Sequence, residues 1–179
     1  MLEVLLGDEV ESPGEYVAEL VYGANDGIVT TFAVVSGVAG AALSPSIVVV
    51  LGAANLFADG FSMGMSNYLS RRSEMDYENA RGDVQADDDG GKSPAKTAFA
   101  TFLAFVVAGW LPLAPYILDL DPQFPLAVAV TGLTFFVVGA SRSLVTARGW
   151  VRNGAEMFVI GMTAAAVAFV VGDLLKGFA

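Results

Sequence analysis

The chain has 179 residues, 55% of them hydrophobic, with a mean hydropathy of +0.61 and a formal net charge of −10. It contains no cysteine and no histidine, which excludes disulfides, thiolate nucleophiles, imidazole metal ligands and histidine acid–base chemistry. Any metal must be held by oxygen atoms or methionine thioether, a set that suits hard or borderline divalent cations, and the acidic balance argues against nucleic acid as a partner.

The apolar residues come in long blocks, which places the chain among integral membrane proteins. The start, MLEVLLGDEVES, lacks the basic and apolar regions of a signal peptide, so the first membrane segment is expected to direct insertion. Ser12-Pro13-Gly14-Glu15 reads as a helix start, with Ser12 as cap and Glu15 at the capping-box position. Residues 1–23 are expected to form an acidic cytoplasmic segment with a short interfacial helix over 13–22.

Five spans are predicted after it, at about 24–43, 46–69, 96–118, 124–141 and 154–175, each near the roughly 20 residues that a bilayer requires. The fold class is therefore an all-α polytopic membrane protein, with a 24–175 transmembrane domain and a 176–179 tail. The links at 44–45 and 119–123 are short, so neighbouring helices pack antiparallel. The connection 71–95 is longer and polar. Pro112 and Pro115 in GWLPLAPY are read as the outer terminus of the third helix rather than a kink, with Trp110 and Tyr116 as interfacial anchors.

Orientation follows from the basic residues. Arg71, Arg72, Arg81, Lys92, Lys96, Arg142, Arg148 and Arg152 fall in the connections after the second and fourth spans, and only Lys176 lies elsewhere. That side is assigned to the cytoplasm. The N-terminus is then cytoplasmic, and the C-terminus is outside or lumenal.

Two carboxylates lie where a bilayer makes charge expensive. Asp59 is near the middle of the second span and Asp26 is in the first turns of the first; an Asp at a helix centre costs about 2.5–3.5 kcal/mol. Asn55, Asp59, Ser62, Met63 and Ser66 follow helical spacing and form one polar stripe, and Thr30 extends the polar face around Asp26. One reading is a cation path lined by carboxylate, amide, hydroxyl and thioether. The other is structural: Asp26 caps its helix, Asp59 is a hydrogen-bonded carboxyl that fixes packing, and Met63 is a packing residue. Gly23-x-x-x-Gly27, Ser36-x-x-x-Gly40 and Gly60-x-x-x-Gly64 are close-approach motifs that build either a homodimer or the subunit's own bundle. Glu74 and Glu78, four apart, would share a helix face, either receiving a divalent ion or forming a solvated surface. No recognisable nucleophile arrangement is present, so an enzyme is not expected.

YGANDGIVTTFAVVSGV and NLFADGFSMGMSNYLSRRSE resemble the first two helices of the vacuolar iron transporter family. GWLPLAPY resembles its third helix, and GASRSLVTARGWVRNGAEMFVIGMTAAAVAFVVGDLL its last two. The resemblance covers nearly all of the chain after residue 15. It implies a homodimer of five-helix subunits that exports ferrous iron, and often manganese, from the cytoplasm in exchange for protons. The metal is substrate, and no resident cofactor is implied. The path would lie at the dimer interface, with Asp26 and Met63 touching the ion and Asp59 as ligand or proton carrier. Asn55 stands where some vacuolar members have Glu, and the connection 71–95 replaces their long Glu-rich cytoplasmic domain, with Glu74 and Glu78 either its remnant or unrelated to it. A short prokaryotic-type member belongs in the cell membrane; a eukaryotic one would be vacuolar. The rivals are carriage of another cation or solute on the same fold, and a non-transporting scaffold.

Overall fold

A computed structural model describes residues 16–81, 92–144 and 146–178. Among these residues every regular element is helical: α1 (Val17–Gly40), α2 (Pro45–Arg81), α3 (Pro94–Gly109), a short α4 (Ala114–Ile117), α5 (Gln123–Ser141) and α6 (Trp150–Leu175). Four stretches are long and apolar enough to cross a membrane: Pro45–Arg81, Pro94–Ile117, Gln123–Leu144 and Trp150–Phe178. They carry large apolar side chains on the outside of the bundle, among them Val50, Phe61, Phe99, Leu133 and Val159, all more than 60% exposed. Apolar surface on that scale suits lipid and not water, and the chain is an integral membrane protein.

The remaining helix, α1, is the hub. It packs against α2, α3, α5 and α6 and is polar over its first half, with Glu19, Asn25, Asp26, Thr30 and Thr31. Its other faces are apolar: Ile28 and Val35 are fully buried, and Phe32 joins Val48, Leu113 and Ala127 in one core cluster. Ile28 joins Ala108, Phe135 and Met157 in the other.

Glycines set the helix separations. A methyl group added at Gly23 or Gly27 would collide with the backbone carbonyls of Thr101 and Phe105 in α3. One at Gly60 would stand 3.1 Å from the Phe105 ring, and one at Gly64 3.0 Å from the Ala98 carbonyl oxygen. Gly40 meets the Phe169 carbonyl of α6 in the same way. The close-approach motifs are therefore used within the subunit, where backbone-to-backbone contact replaces the missing hydrophobic drive between helices in lipid.

Three boundaries differ from the sequence expectation. Helix α1 runs unbroken from Val17, so residues 17–22 are its first turns; the expected cap at Ser12–Glu15 lies outside the described residues. Helix α2 continues to Arg81 instead of stopping near residue 69. Pairs one turn apart support this extension: Arg71 Nη1 lies 2.6 Å from Glu74 Oε2, and Arg81 Nη1 donates to the Tyr77 hydroxyl at 3.3 Å. At 1.5 Å per residue the helix is about 56 Å long, well beyond a hydrocarbon core of about 30 Å. The third span is not one helix. It stops at Gly109, passes through a 3-10 turn at Leu111–Leu113 and resumes only as α4, because Pro112 and Pro115 cannot donate to the helical ladder.

A polar knot closes the basic end. Lys92 Nζ reaches both Glu19 carboxylate oxygens at 2.8 and 3.0 Å, while Arg71 Nε donates to the Lys92 carbonyl at 3.3 Å. The starts of α1 and α3 are thereby tied to the exposed part of α2. Further in, Asn67 Nδ2 donates to Thr101 Oγ1 at 2.6 Å, joining α2 to α3.

Candidate functional site

Asp26 and Asp59 are each followed by glycine, and both glycines rest on Phe105. Phe105 is completely buried. Gly27 lies on its backbone and Gly60 against its ring, so the two Asp-Gly pairs are held on adjacent helices within about one helical turn of the same level. Two carboxylates held at this level on adjacent helices repel each other when both are charged. Each is partly exposed, and neither has a hydrogen-bond or ion-pair partner among the described residues. The Asp26 backbone carbonyl accepts the Thr30 hydroxyl at 2.8 Å, which leaves the Thr30 oxygen lone pairs free to accept or ligate.

On α2 the buried row is Val48, Gly52, Leu56, Gly60 and Gly64. Asn55, Asp59 and Met63 each precede one of its members by a residue, so they share one flank and are all partly buried. Met63 is one turn, about 6 Å, from Asp59 toward the basic end. Asn55 is one turn the other way, and its Nδ2 is buried without a partner. Such a group costs about 1–3 kcal/mol unless it is satisfied by something absent from the subunit. Ser62 and Ser66 are exposed. The structure thus brings together Asp26, Asp59, Asn55 and Met63.

Glu74 and Glu78 are not part of this group. They lie on the exposed extension of α2, about 22 and 28 Å along the axis from Asp59, and Glu74 is paired with Arg71. Among the described residues no cluster of three or more Asp, Glu, His or Cys could hold a metal. The carboxylate pair with one amide and one thioether is a half-shell that lies open on the bundle surface. Helices α2 and α6 contact different sides of α1 with no substantial interface between them. Phe105 escaped the sequence reading because it is one of 12 phenylalanines and has no local signature; only its position between two glycines on other helices marks it.

The model of the VIT family matches residues 17–88 and 81–173, splitting in the connection after α2. The chain is 28% identical to a vacuolar iron transporter of Toxoplasma gondii, covering 96% of this chain and 80% of that protein. It is 25% identical to vacuolar iron transporter 1 of Arabidopsis thaliana, covering 91% and 87%, and 28% identical to vacuolar iron transporter homolog 5 of Oryza sativa, covering 96% and 86%. The Toxoplasma alignment runs over 240 positions and the rice alignment over 184, so the former relative carries additional segments that this chain lacks.

Proposed function

The chain belongs to the VIT family, and from that premise we propose that it transports a divalent transition metal, ferrous iron or manganese, out of the cytoplasm in exchange for protons. The observation that carries the reading is the pair Asp26 and Asp59, levelled by Phe105 and left without hydrogen-bond or ion-pair partners among the described residues. A carboxyl serving only as structural glue in lipid would be hydrogen-bonded to a neighbouring helix, so the absence of such bonds favours transport over a scaffold. Two carboxylates that repel each other are stabilised by a cation between them. Protonation of either weakens the hold on that cation, which gives a physical route to exchange. Asn55 and Met63 supply one neutral oxygen and one soft sulfur beside the pair, a set suited to a borderline ion.

In this reading α1 is the fifth span, its polar half shielded from lipid by its neighbours, and the basic end of the bundle faces the cytoplasm. The half-shell is completed by a second subunit, placing the path in a homodimer. Glu74 and Glu78 belong to a solvated cytoplasmic face. The names of the relatives support metal transport and a role other than catalysis.

The test is flux of ferrous iron and manganese into proteoliposomes of known orientation, with and without a pH gradient, for the wild type and Asp26→Ala. Gradient-dependent flux that the substitution abolishes is the expected result. Equal flux from both proteins would remove Asp26 from the path, and no flux from well-folded wild type would favour a scaffold.

A further inference from the structure

A second opening lies between α1 and α6, at the basic end of the bundle. It is a cavity of about 610 Å³ between the first turns of α1 and of α6, within the range of small-ligand sites. Its walls are apolar, formed by Val17 and Val21 from α1 and Met157 and Ile160 from α6. Its rim is polar, with Tyr22, Asn25, Thr146 and Arg142. Tyr22 is 56% exposed and Ile160 59% exposed, so the mouth opens on the outer surface of the bundle.

Among the described residues Arg142 is the only charged one lining the cavity, in a chain of net charge −10. Its guanidinium makes no hydrogen bond or ion pair among the described residues, whereas Arg71, Lys92, Arg148 and Lys176 are each paired with a carboxylate. The Arg142 backbone is anchored by hydrogen bonds. Asn153, completely buried, donates from Nδ2 to Thr146 Oγ1 at 3.0 Å, and Thr146 Oγ1 donates to the Arg142 carbonyl at 2.8 Å. The Thr146 N–H donates to the same carbonyl at 3.0 Å. This chain of bonds holds the segment after α5 over the cavity. Val17 and Ala18 add the positive end of the α1 dipole on that side.

The depth also fits a lipid. From Trp150 at the start of α6 to Ile160 is about 15 Å along the helix, enough to run from headgroup level into the acyl region. A guanidinium at the top matches a phosphate, and the aliphatic wall below matches a chain.

We propose that this cavity binds an anionic membrane phospholipid, with its phosphate on Arg142 and an acyl chain along Val21, Met157 and Ile160. The occupant would lie one residue along α1 from Asp26, since Asn25 is on its rim. The proposal does not depend on the metal-transport reading.

The experiment is native mass spectrometry of the full chain in mild detergent with phosphatidylglycerol, phosphatidylcholine or inorganic phosphate, on wild type, Arg142→Gln and Arg148→Gln. Thermal melts confirm equal folding. Phosphatidylglycerol should bind the wild type and Arg148→Gln alike. Arg142→Gln should weaken it about tenfold or more, the least that losing a charge-assisted hydrogen bond predicts. Phosphatidylcholine, whose phosphate carries its own choline counter-charge, should bind more weakly than phosphatidylglycerol. Undiminished phosphatidylglycerol binding by Arg142→Gln would overturn the proposal. So would Arg142-dependent binding of inorganic phosphate without lipid binding, which would make the site one for a free anion. Ile160→Trp, which fills the aliphatic wall, gives a second test: it should reduce lipid binding and leave phosphate untouched.

Discussion

Asp26 and Asp59 stand at one level of adjacent helices because the glycine after each is pressed against Phe105. With a side chain in place of Gly27, α1 could not approach α3 as closely, because the Phe105 backbone cannot yield. At Gly60 the Phe105 ring would have to give by a few tenths of an ångström. The charge pair is therefore a product of packing on α3, a helix that contributes no ligand itself.

Asp59→Asn keeps the shape of the side chain and removes its charge. Because the Asp59 carboxylate has no partner to lose among the described residues, the melting temperature should not fall. The metal concentration for half-maximal flux should rise about tenfold or more, equivalent to about 1.4 kcal/mol of lost binding. Wild-type flux from this variant would remove Asp59 from the path.

Gly27→Ala places a methyl group against the Phe105 carbonyl. Backbone cannot yield as a flexible side chain does, so the variant should lose about 1–3 kcal/mol, the usual cost of overpacking. Gly149→Ala is the control, since nothing lies within 4 Å and its φ of −65° suits any residue. Parallel thermal melts compare the two, and equal melts would refute the packing account.

Glu74→Gln breaks the exposed pair with Arg71. A pair of this kind contributes about 0–1 kcal/mol, and the residue is about 22 Å along α2 from Asp59. Metal flux should be unchanged within error. A large loss of flux at low metal concentration would instead return this extension to the metal path.

Ala42 has φ of 57°, in the left-handed region, where the turn after α1 closes with a bond from the Leu43 N–H to the Val38 carbonyl. Glycine is the residue suited to that position. Ala42→Gly should raise stability by about 1 kcal/mol, read as a higher melting temperature. Gly40, the last residue of α1, is in contact with the Phe169 carbonyl of α6.

Much of this was legible in the chain alone. Hydropathy blocks marked α2, α3, α5 and α6, because burial in lipid requires long apolar runs whatever their neighbours do. Helical spacing put Asn55, Asp59 and Met63 on one flank of α2, because the 3.6-residue period is a local property. The same local information failed where polar pairs extended α2 to Arg81. The sequence also left open whether the glycine motifs served a dimer or the bundle, because a motif specifies close approach but not the partner. Tertiary structure decided that α3 is the partner of both Gly27 and Gly60 and that Phe105 levels the two carboxylates. It also decided that Arg142 lines a cavity with α1 residues more than a hundred positions away. Each of these depends on contacts between distant segments, and such contacts are set by how whole helices pack, not by the residues beside them in the chain.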